Sequence, residues 1–311
     1  MIISASRRTD IPAFYSDWFY NRIKEGYAMV KNPMNTHQVS KIDLSPEVVD
    51  CIVFWTKNPR PMLDRLDELK DYKYYFQFTL NSYAKDIEPN VPSKCKEVIN
   101  TFRKLSDKIG AEKVVWRYDP IIINENYSRQ YHVDNFEKLA QSLDGQFNRC
   151  VISFVDFYQK SAKRFRESNI SELYTNDVMY IAERFSEIAE KYGFKIYSCA
   201  EKYDLQNFGI QHGKCIDNDL IEQIIGAKIS VRKDKDQRAE CGCVDSIDIG
   251  SYNTCLHGCK YCYANYSENT VCKNSGKYDP ASPVLCDSVS EDDKVTERKM
   301  TSLIDMQIDM F

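Results

Sequence analysis

Three cysteines lie close together in the segment YNTCLHGCKYCYAN. They are Cys255, Cys259 and Cys262, and their spacing is C-x3-C-x2-C. A helix would place all three on one face, but Gly258 interrupts such a helix, and the Asn-Thr pair before Cys255 favours a loop. Zinc sites use four ligands and commonly pair them as C-x2-C, which makes zinc the main rival. Three thiolates on an iron–sulfur cubane leave one iron open to a small molecule, so this triplet predicts a [4Fe–4S] cluster.

Cysteine is abundant in the rest of the chain as well. Of the 12 cysteines, nine lie between Cys199 and Cys286, and the other three are scattered. The N-terminal sequence MIISASRRTDIP has no basic segment followed by a long apolar one, so we expect a cytoplasmic protein without a signal peptide. Thiols stay reduced in that compartment, and metal binding is then a better interpretation than a disulfide framework.

Several of these cysteines form a second candidate site around the compact pair Cys241-Gly242-Cys243. We expect it to hold either a second iron–sulfur cluster or zinc, with free thiols as the remaining alternative. The expected ligands are Cys199, Cys215, Cys241 and Cys243, with Cys272 as an alternative to Cys199. The loop histidines His212 and His257 are expected to be solvated rather than to bind metal.

Short apolar runs recur along the chain, separated by amphipathic stretches. They are rich in β-branched and aromatic residues, as are strands buried on both faces of a parallel sheet. The runs are Ile2–Ser6, Cys51–Trp55, Tyr74–Leu80, Lys113–Tyr118, Val151–Phe157, Phe194–Cys199 and Ser246–Gly250. Helix-like segments between them include Ser93–Ile109 and Asn176–Tyr192, each followed by a glycine. The alternation predicts an α/β fold, most simply a (β/α) barrel, with a flat doubly wound sheet as the alternative.

Polar side chains follow these predicted strands directly. Because the carboxyl ends of parallel barrel strands meet at one mouth, we expect the side chains to gather there. Arginine and lysine at such a mouth suit an anionic group such as a carboxylate or a phosphate. The residues concerned are Arg7, Arg8, Thr9, Asp10, Thr56, Lys57, Asn58, Gln77, Arg117 and Asp119.

The cysteine triplet, with an aromatic residue just before its last cysteine, resembles the cluster loop of the radical S-adenosylmethionine (SAM) superfamily. The resemblance implies that Cys255, Cys259 and Cys262 hold a [4Fe–4S] cluster whose fourth iron binds SAM. It also implies that an electron from the cluster cleaves SAM to a 5′-deoxyadenosyl radical, and that Tyr261 lies beside the adenine. A flavodoxin or ferredoxin would supply the electron. The substrate is not indicated.

The position of the loop departs from that superfamily, in which the cysteines follow the first strand. A circular permutation would reconcile the two, giving a partial barrel whose first strand is Ser246–Gly250 and whose second is Ile2–Ser6. These two runs should then lie side by side. The superfamily's Gly-Gly-Glu is absent, and Arg7 to Asp10 would take its place. Arg7, Asp10, Lys57, Arg117 and Asp119 are then expected to act in catalysis, and Arg8, Thr9, Thr56, Asn58, Gln77 and Tyr261 to bind the cofactor.

The whole chain also looks like a bacterial family catalogued as domain of unknown function 1848. The elements concerned are ISASRRTDIP, FWTKNP, RYDPI, the CGC pair and YNTCLHGCKYCYAN. FWTKNP and RYDP are similar to pieces of the spore photoproduct lyase group of radical enzymes. The formal net charge of -4 gives no overall attraction to nucleic acid. No apolar run approaches the roughly 18 residues of a membrane span, so we expect no membrane partner.

The expected domain organisation is simple. Residues 1–265 would form one barrel domain that includes the cysteine-rich segment 199–265, and residues 266–311 would be an extension. Its last part, Thr301–Phe311, alternates apolar and polar residues and is expected to dock back on the body. Two other functions remain open: a zinc-stabilised α/β-barrel hydrolase or binding module, and an iron–sulfur electron carrier without SAM.

Overall fold

The structure, a computed structural model, describes residues 1–157 and 161–305. Its strands are β1 (Ile2–Ala5), β2 (Tyr27–Asn32), β3 (Asn35–Asp43), β4 (Cys51–Thr56), β5 (Tyr74–Thr79), β6 (Val114–Ile121), β7 (Arg149–Phe154), β8 (Lys195–Ser198), β9 (Gln211–His212), β10 (Ile247–Asp248) and β11 (Lys294–Glu297). Its α-helices are α1 (Ile11–Phe14), α2 (Ser16–Glu25), α3 (Ile99–Ile109), α4 (Arg129–Ser142), α5 (Ala162–Glu167), α6 (Thr175–Tyr192), α7 (Asn218–Ile225) and α8 (Glu268–Ser275). A 3-10 helix covers Arg60–Leu69, and a short π-helix, Lys94–Val98, leads into α3.

Eight of the strands form one parallel sheet in the order β10-β1-β4-β5-β6-β7-β8-β9. Each predicted strand contributes to it, and the α/β fold is confirmed. A closed barrel is not formed, because β9 and β10 do not pair within the part of the chain that the structure describes. Both edge strands, β9 and β10, are only two residues long. The sheet is therefore open, in a Rossmann-like or barrel-like arrangement.

The strand that precedes the cysteine loop pairs with the first strand of the chain. Ile3 lies opposite Ile247 and Ser4 opposite Asp248 in a parallel ladder, so the predicted adjacency of these two runs is confirmed. The Asp248 carboxylate accepts hydrogen bonds from the Ser4 and Ser6 hydroxyls at 2.9 and 2.6 Å. A Cβ at Gly250 would lie 2.6 Å from the Ser6 Cβ, so the close approach here requires glycine.

The two faces of the parallel sheet are covered differently, as the period of two along each strand dictates. One face carries side chains such as Ile52 and Trp116, which share a core with helices α2, α3, α4 and α6. The other face carries Ile2, Val53 and Val115 and packs against α7 and the cysteine-bearing segment that includes Cys215, Cys241 and Cys243. The second set of cysteines is therefore buried against the sheet rather than displayed on a surface loop.

The extension after residue 265 contains regular structure. Helix α8 lies in it, and β11 pairs in parallel with β3 in a second sheet of order β11-β3-β2. The Leu303 N–H and the Ser302 hydroxyl both donate to the Asp50 carboxylate, at 2.8 and 2.5 Å, so residues 301–305 dock on the body. The rest of the predicted docking segment, 306–311, lies outside the described residues. None of the helices in the described ranges has the length and apolar character needed to cross a bilayer.

Candidate functional site

The cysteine loop between residues 253 and 264 is fixed by backbone hydrogen bonds at both ends and in the middle. The Asn253 N–H donates to the Ala264 carbonyl at 2.9 Å and closes the loop. The Lys260 N–H donates to the Ile87 carbonyl at 2.9 Å, which ties the loop to the connection after β5. Gly258 has a φ of +69°, a left-handed conformation that glycine adopts without strain. The loop is thus a defined turn structure, as the glycine and the Asn-Thr pair predicted, and not a helix.

The three loop thiols are near neighbours in a mostly buried setting. Cys259 is buried, Cys255 and Cys262 are half-buried, and none is in a disulfide. Burial raises the pKa of Cys255 well above its usual range, and negative charge on Cys259 or Cys262 would raise it further. Burial also raises the pKa of Cys259, to about 12, although Lys57 opposes the rise. A metal group bound here would displace the thiol protons, as metal binding to cysteine generally does.

The arrangement does not form a site for a single ion. Across residues 1–157 and 161–305, no three His, Cys, Asp or Glu side chains are placed so that they could hold a metal ion. Three buried polar atoms near the cysteine loop nevertheless have no hydrogen-bond partner among the described residues: Thr9 Oγ1, His257 Nδ1 and Asn265 Oδ1. Buried polar atoms are nearly always paired, so the surroundings of the loop retain hydrogen-bonding capacity.

Asp10 joins the cysteine loop to the ends of β1 and β4. Its Oδ1 accepts the Ala13 N–H at 3.0 Å and caps α1. Its Oδ2 accepts the Lys57 N–H at 2.7 Å and lies 2.8 Å from Nε2 of His257, which sits between two of the cysteines. Asp10 is 5% exposed, and both of its oxygens are engaged. The geometry suits a positioning residue, whereas the sequence suggested a catalytic role.

His257 corrects one sequence-based expectation. It was expected to be solvated, but it is 3% exposed, packed edge-on against Phe14 at 4.6 Å between ring centroids, and paired with Asp10. The reason is tertiary: the carboxylate that satisfies its ring nitrogen comes from the opposite end of the chain.

A buried ionic network lies beside Cys259. The Glu88 carboxylate is 1% exposed and lies 2.8 Å from Lys57 Nζ and 2.6 Å from Lys94 Nζ. Burial opposes ionisation of Glu88, but the two ammonium groups prevail and lower its pKa to about 2. The Tyr261 hydroxyl also donates to this carboxylate, and Asn81 Nδ2 lies 3.2 Å from that hydroxyl. Lys57 and Tyr261 therefore meet at Glu88, beside Cys259.

The sequence did not single out two members of this network, Glu88 and Lys94. Asn81 directly follows β5 and belongs to the polar residues expected at the strand ends. Glu88 and Lys94 lie in the irregular connection between β5 and α3, where no pattern marks them. Their role depends on the fold of that connection over the sheet edge.

Three other predicted strand-end residues, Arg117, Gln77 and Arg7, have side chains at the second group of cysteines. Arg117 donates from Nη1 to Cys215 Sγ at 2.7 Å and from Nε to Asp119 Oδ2 at 2.9 Å. Gln77 donates from Nε2 to the Cys215 carbonyl at 2.8 Å. Arg7 donates to Asp234 Oδ2 at 3.2 Å, on the segment that carries Cys241 and Cys243. The polar mouth thus has two parts, one at each set of thiols.

Four further predicted residues have local structural contacts. Thr9 is buried, and its hydroxyl is one of the unpartnered atoms noted above. The Thr56 hydroxyl accepts the Asn58 N–H at 3.0 Å and shapes the turn after β4. Asn58 Oδ1 in turn accepts the Arg60 N–H at 3.4 Å. Arg8 lies 3.8 Å from Asp248 and 5.2 Å from the centre of the Tyr252 ring, where the cysteine loop begins.

The four cysteines of the second candidate site form one connected group. The sulfurs of Cys199 and Cys215 are 3.1 Å apart. The N–H groups of Cys215 and Ile216 donate to Cys243 Sγ at 3.3 and 3.4 Å. Hydrogen bonds among these thiols lower the pKa of Cys243 and raise the pKa of Cys215 and of Cys241. Cys272, the alternative member, is instead exposed on α8.

Comparison with known proteins adds the family. No curated protein matches the chain. A crystal structure from Bacteroides thetaiotaomicron, described as a "putative alpha-L-fucosidase", is similar at 12% identity and a TM-score of 0.24, over 52% of this chain and 68% of that one. That likeness is too distant to bear on function. A family model matches residues 2–264, almost the whole body including the cysteine loop, and the chain therefore belongs to the family described as domain of unknown function (DUF1848).

Proposed function

We propose that this protein is a radical SAM enzyme with a [4Fe–4S] cluster on Cys255, Cys259 and Cys262. The observation that carries the proposal is the parallel pairing of β10 with β1, which puts the cysteine loop at the carboxyl edge of the sheet. In a circularly permuted partial barrel, β10 would be the first strand and β1 the second. The loop then follows the first strand in space, as in the superfamily that its motif resembles.

The donor set fits a cluster better than it fits a single ion. Three thiolates on a cubane bind three different irons, so they do not need to converge on one point. The three thiols here are neighbours without such convergence. When bound, the cluster would pass one electron, supplied by a flavodoxin or ferredoxin, to SAM, whose sulfonium then loses one carbon–sulfur bond.

The chain's own residues would hold the loop and balance its charge. Asp10 contacts both His257 and the Lys57 N–H, and so it holds the cysteine loop against the end of β4. Lys57 Nζ lies 5.5 Å from the centre of the Tyr261 ring and favours negative charge on Cys259. Arg164 Nη2 donates to the Cys262 carbonyl at 2.5 Å and brings α5 against the loop. These cations surround a group that would carry several negative thiolates.

Metal analysis and product analysis test the proposal together. Protein purified without oxygen should be brown, contain iron and sulfide, and form 5′-deoxyadenosine when reduced with SAM present. Cys259→Ala should lose this iron and this product. Cys272→Ala is the matched control, because it removes an exposed thiol on α8 and should keep both.

Three outcomes would overturn the proposal. A colourless protein would favour the zinc-stabilised hydrolase or binding module. A brown protein that forms no 5′-deoxyadenosine under any reducing condition would favour an electron carrier. Retention of all iron in Cys259→Ala would show that the ligands are other residues.

A further inference from the structure

Two thiols of the second group, Cys199 and Cys215, are in contact but differ in their access to solvent. Cys199 directly follows β8 and is half-buried, whereas Cys215 precedes α7 and is 3% exposed. Their sulfurs are 3.1 Å apart, and neither residue is in a disulfide. A small molecule can therefore reach one sulfur of the pair, and the second sulfur lies next to it.

The backbone at both members of the pair is held by hydrogen bonds to the parallel sheet. The Cys199 N–H donates to the Ile152 carbonyl at 2.8 Å, which continues the ladder between β7 and β8. The Cys215 carbonyl accepts the Tyr75 hydroxyl at 2.6 Å and Gln77 Nε2 at 2.8 Å. The sulfurs of a disulfide are about 2.05 Å apart, so the two thiols need to approach by about 1 Å to bond. We expect side-chain rotations to provide this movement while the backbone stays anchored.

The two thiols also differ in acidity. The hydrogen bond from the Cys215 thiol lowers the pKa of Cys199, although burial opposes its ionisation. Hydrogen bonds with Cys199 and Cys243 raise the pKa of Cys215 well above its usual range, and burial adds to the rise. Thiol–disulfide exchange begins with a thiolate, so this difference favours Cys199 as the attacking thiol and Cys215 as the thiol that completes the exchange.

Cys243 is less suited to be the first thiol to react. Its Sγ accepts the N–H groups of Cys215 and Ile216 at 3.3 and 3.4 Å, which hold the sulfur in place. The residue is 3% exposed and packs in the core on the second face of the sheet. A reagent from solution therefore reaches Cys199 before it reaches Cys243.

We propose that Cys199 and Cys215 form a reversible disulfide with each other, with a small disulfide compound as the oxidant. The Cys199 thiolate attacks one sulfur of the compound, breaks its S–S bond and releases the first half as a thiolate. The Cys215 sulfur then attacks Cys199 Sγ, and the second half of the compound leaves as a thiol that carries the Cys215 proton. Two protein sulfurs are oxidised, and the two sulfurs of the compound are reduced.

The new bond would tie the end of β8 to the segment before α7 and would alter the polar mouth. Arg117 Nη1 donates to Cys215 Sγ at 2.7 Å, and its Nε donates to Asp119. Movement of the Cys215 sulfur towards Cys199 changes the first of these contacts. The site goes beyond the proposed radical chemistry and does not depend on it, since it uses none of the loop cysteines.

Disulfide mapping in the full-length wild type tests the proposal. The protein is incubated without oxygen in mixtures of glutathione and glutathione disulfide, its remaining thiols are alkylated, and it is digested with trypsin. Cleavage after lysine places Cys199 in the peptide 196–202 and Cys215 in the peptide 215–228, each as the only cysteine of its peptide. We expect the two peptides to become linked with the loss of two free thiols, and to separate again in dithiothreitol.

Labelling of the reduced protein tests the order in which the two thiols react. Brief treatment with iodoacetamide should modify Cys199 faster than Cys215. Cys199→Ser and Cys215→Ser should each abolish the linked peptide. The control Cys272→Ser removes an exposed thiol on α8 and should give as much linked peptide as the wild type.

The proposal fails in three cases. The first is a wild type in which Cys199 stays unlinked to Cys215 in excess glutathione disulfide. The second is a link from Cys215 to the peptide that contains Cys241 and Cys243. The third is alkylation of Cys215 at least as fast as that of Cys199. None of these measurements reads iron or 5′-deoxyadenosine, so a failure here is distinct from a failure of the radical SAM proposal.

Discussion

Replacing Glu88 by glutamine should lower the free energy of unfolding more than almost any other substitution near the cysteine loop that keeps the size of the side chain. The carboxylate is 1% exposed and has two ammonium groups within 3 Å, Lys57 Nζ at 2.8 Å and Lys94 Nζ at 2.6 Å. Glutamine keeps the size of the side chain but leaves two buried cations without their counter-ion. Breaking a buried ion pair in this way costs about 3 to 5 kcal/mol.

The lowered pKa of Glu88 gives a second, independent value for the stability that this ion pair contributes. Its fall from an ordinary value of 4.5 to about 2 corresponds to about 3 kcal/mol, at about 1.4 kcal/mol per pKa unit. The folded-state pKa is lowered, so this stabilisation is fully present above pH 4.5 and is lost as the pH falls towards 2. The wild type should therefore lose its advantage over Glu88→Gln in acid.

Urea unfolding, followed by the fluorescence of the buried Trp18 and Trp116, measures the difference. The wild type and the variant are compared at pH 7 and again below pH 4, at equal metal content. Glu68→Gln is the matched control, because Glu68 also pairs with a cation, Arg65 at 2.6 Å, but its side chain is 52% exposed. Exposed pairs contribute about 0 to 1 kcal/mol. If Glu88→Gln were no less stable than Glu68→Gln at pH 7, or if the difference did not shrink in acid, the reasoning would be refuted.

Two further predictions follow from buried contacts. Asp10→Asn should keep the cap on α1 but present an NH₂ group to the Lys57 N–H and to His257. An unsatisfied buried donor costs about 1 to 3 kcal/mol, so the variant should hold the cysteine loop less firmly. We expect it to lose more iron than the wild type on dialysis, although its thiol content is unchanged. Burial lowers the pKa of His132 to about 4, so its ring signals should show a neutral imidazole at pH 6. Stability should then fall as the pH drops from 6.5 to 4, and the acid-side loss should disappear in His132→Gln. Protonation of His132 near pH 6.5 in the folded protein would contradict this.

The parts of the fold that sequence predicted are those with local causes. Apolar, β-branched runs gave the strands of the parallel sheet, and glycine after an amphipathic stretch marked the end of α6, where Gly193 is left-handed. The adjacency of β1 and β10 was also predictable, because the resemblance of the cysteine loop, combined with a circular permutation, required it. Closure into a barrel was not, since it depends on whether β9 and β10 meet in space, and they do not pair in the described residues.

The candidate site was predictable in its thiols but not in its polar partners. The sequence pointed to both sets of cysteines, and their roles as ligands stay predictions. His257 was misjudged, and Glu88 and Lys94 were missed, because each gains its importance from a partner far away in sequence. Arg117 contacts Cys215 rather than the loop cysteines.

The sequence by itself determined the alternation of strands and helices, the cysteine spacing and the glycine that turns the loop, because these depend on residues a few positions apart. The tertiary structure decided which polar groups meet. It brought Asp10 to His257 through the pairing of β1 with β10, and it folded the 199–243 segment over the open sheet so that four cysteines became neighbours. Contacts of this kind depend on packing across the sheet, which no local pattern of residues records.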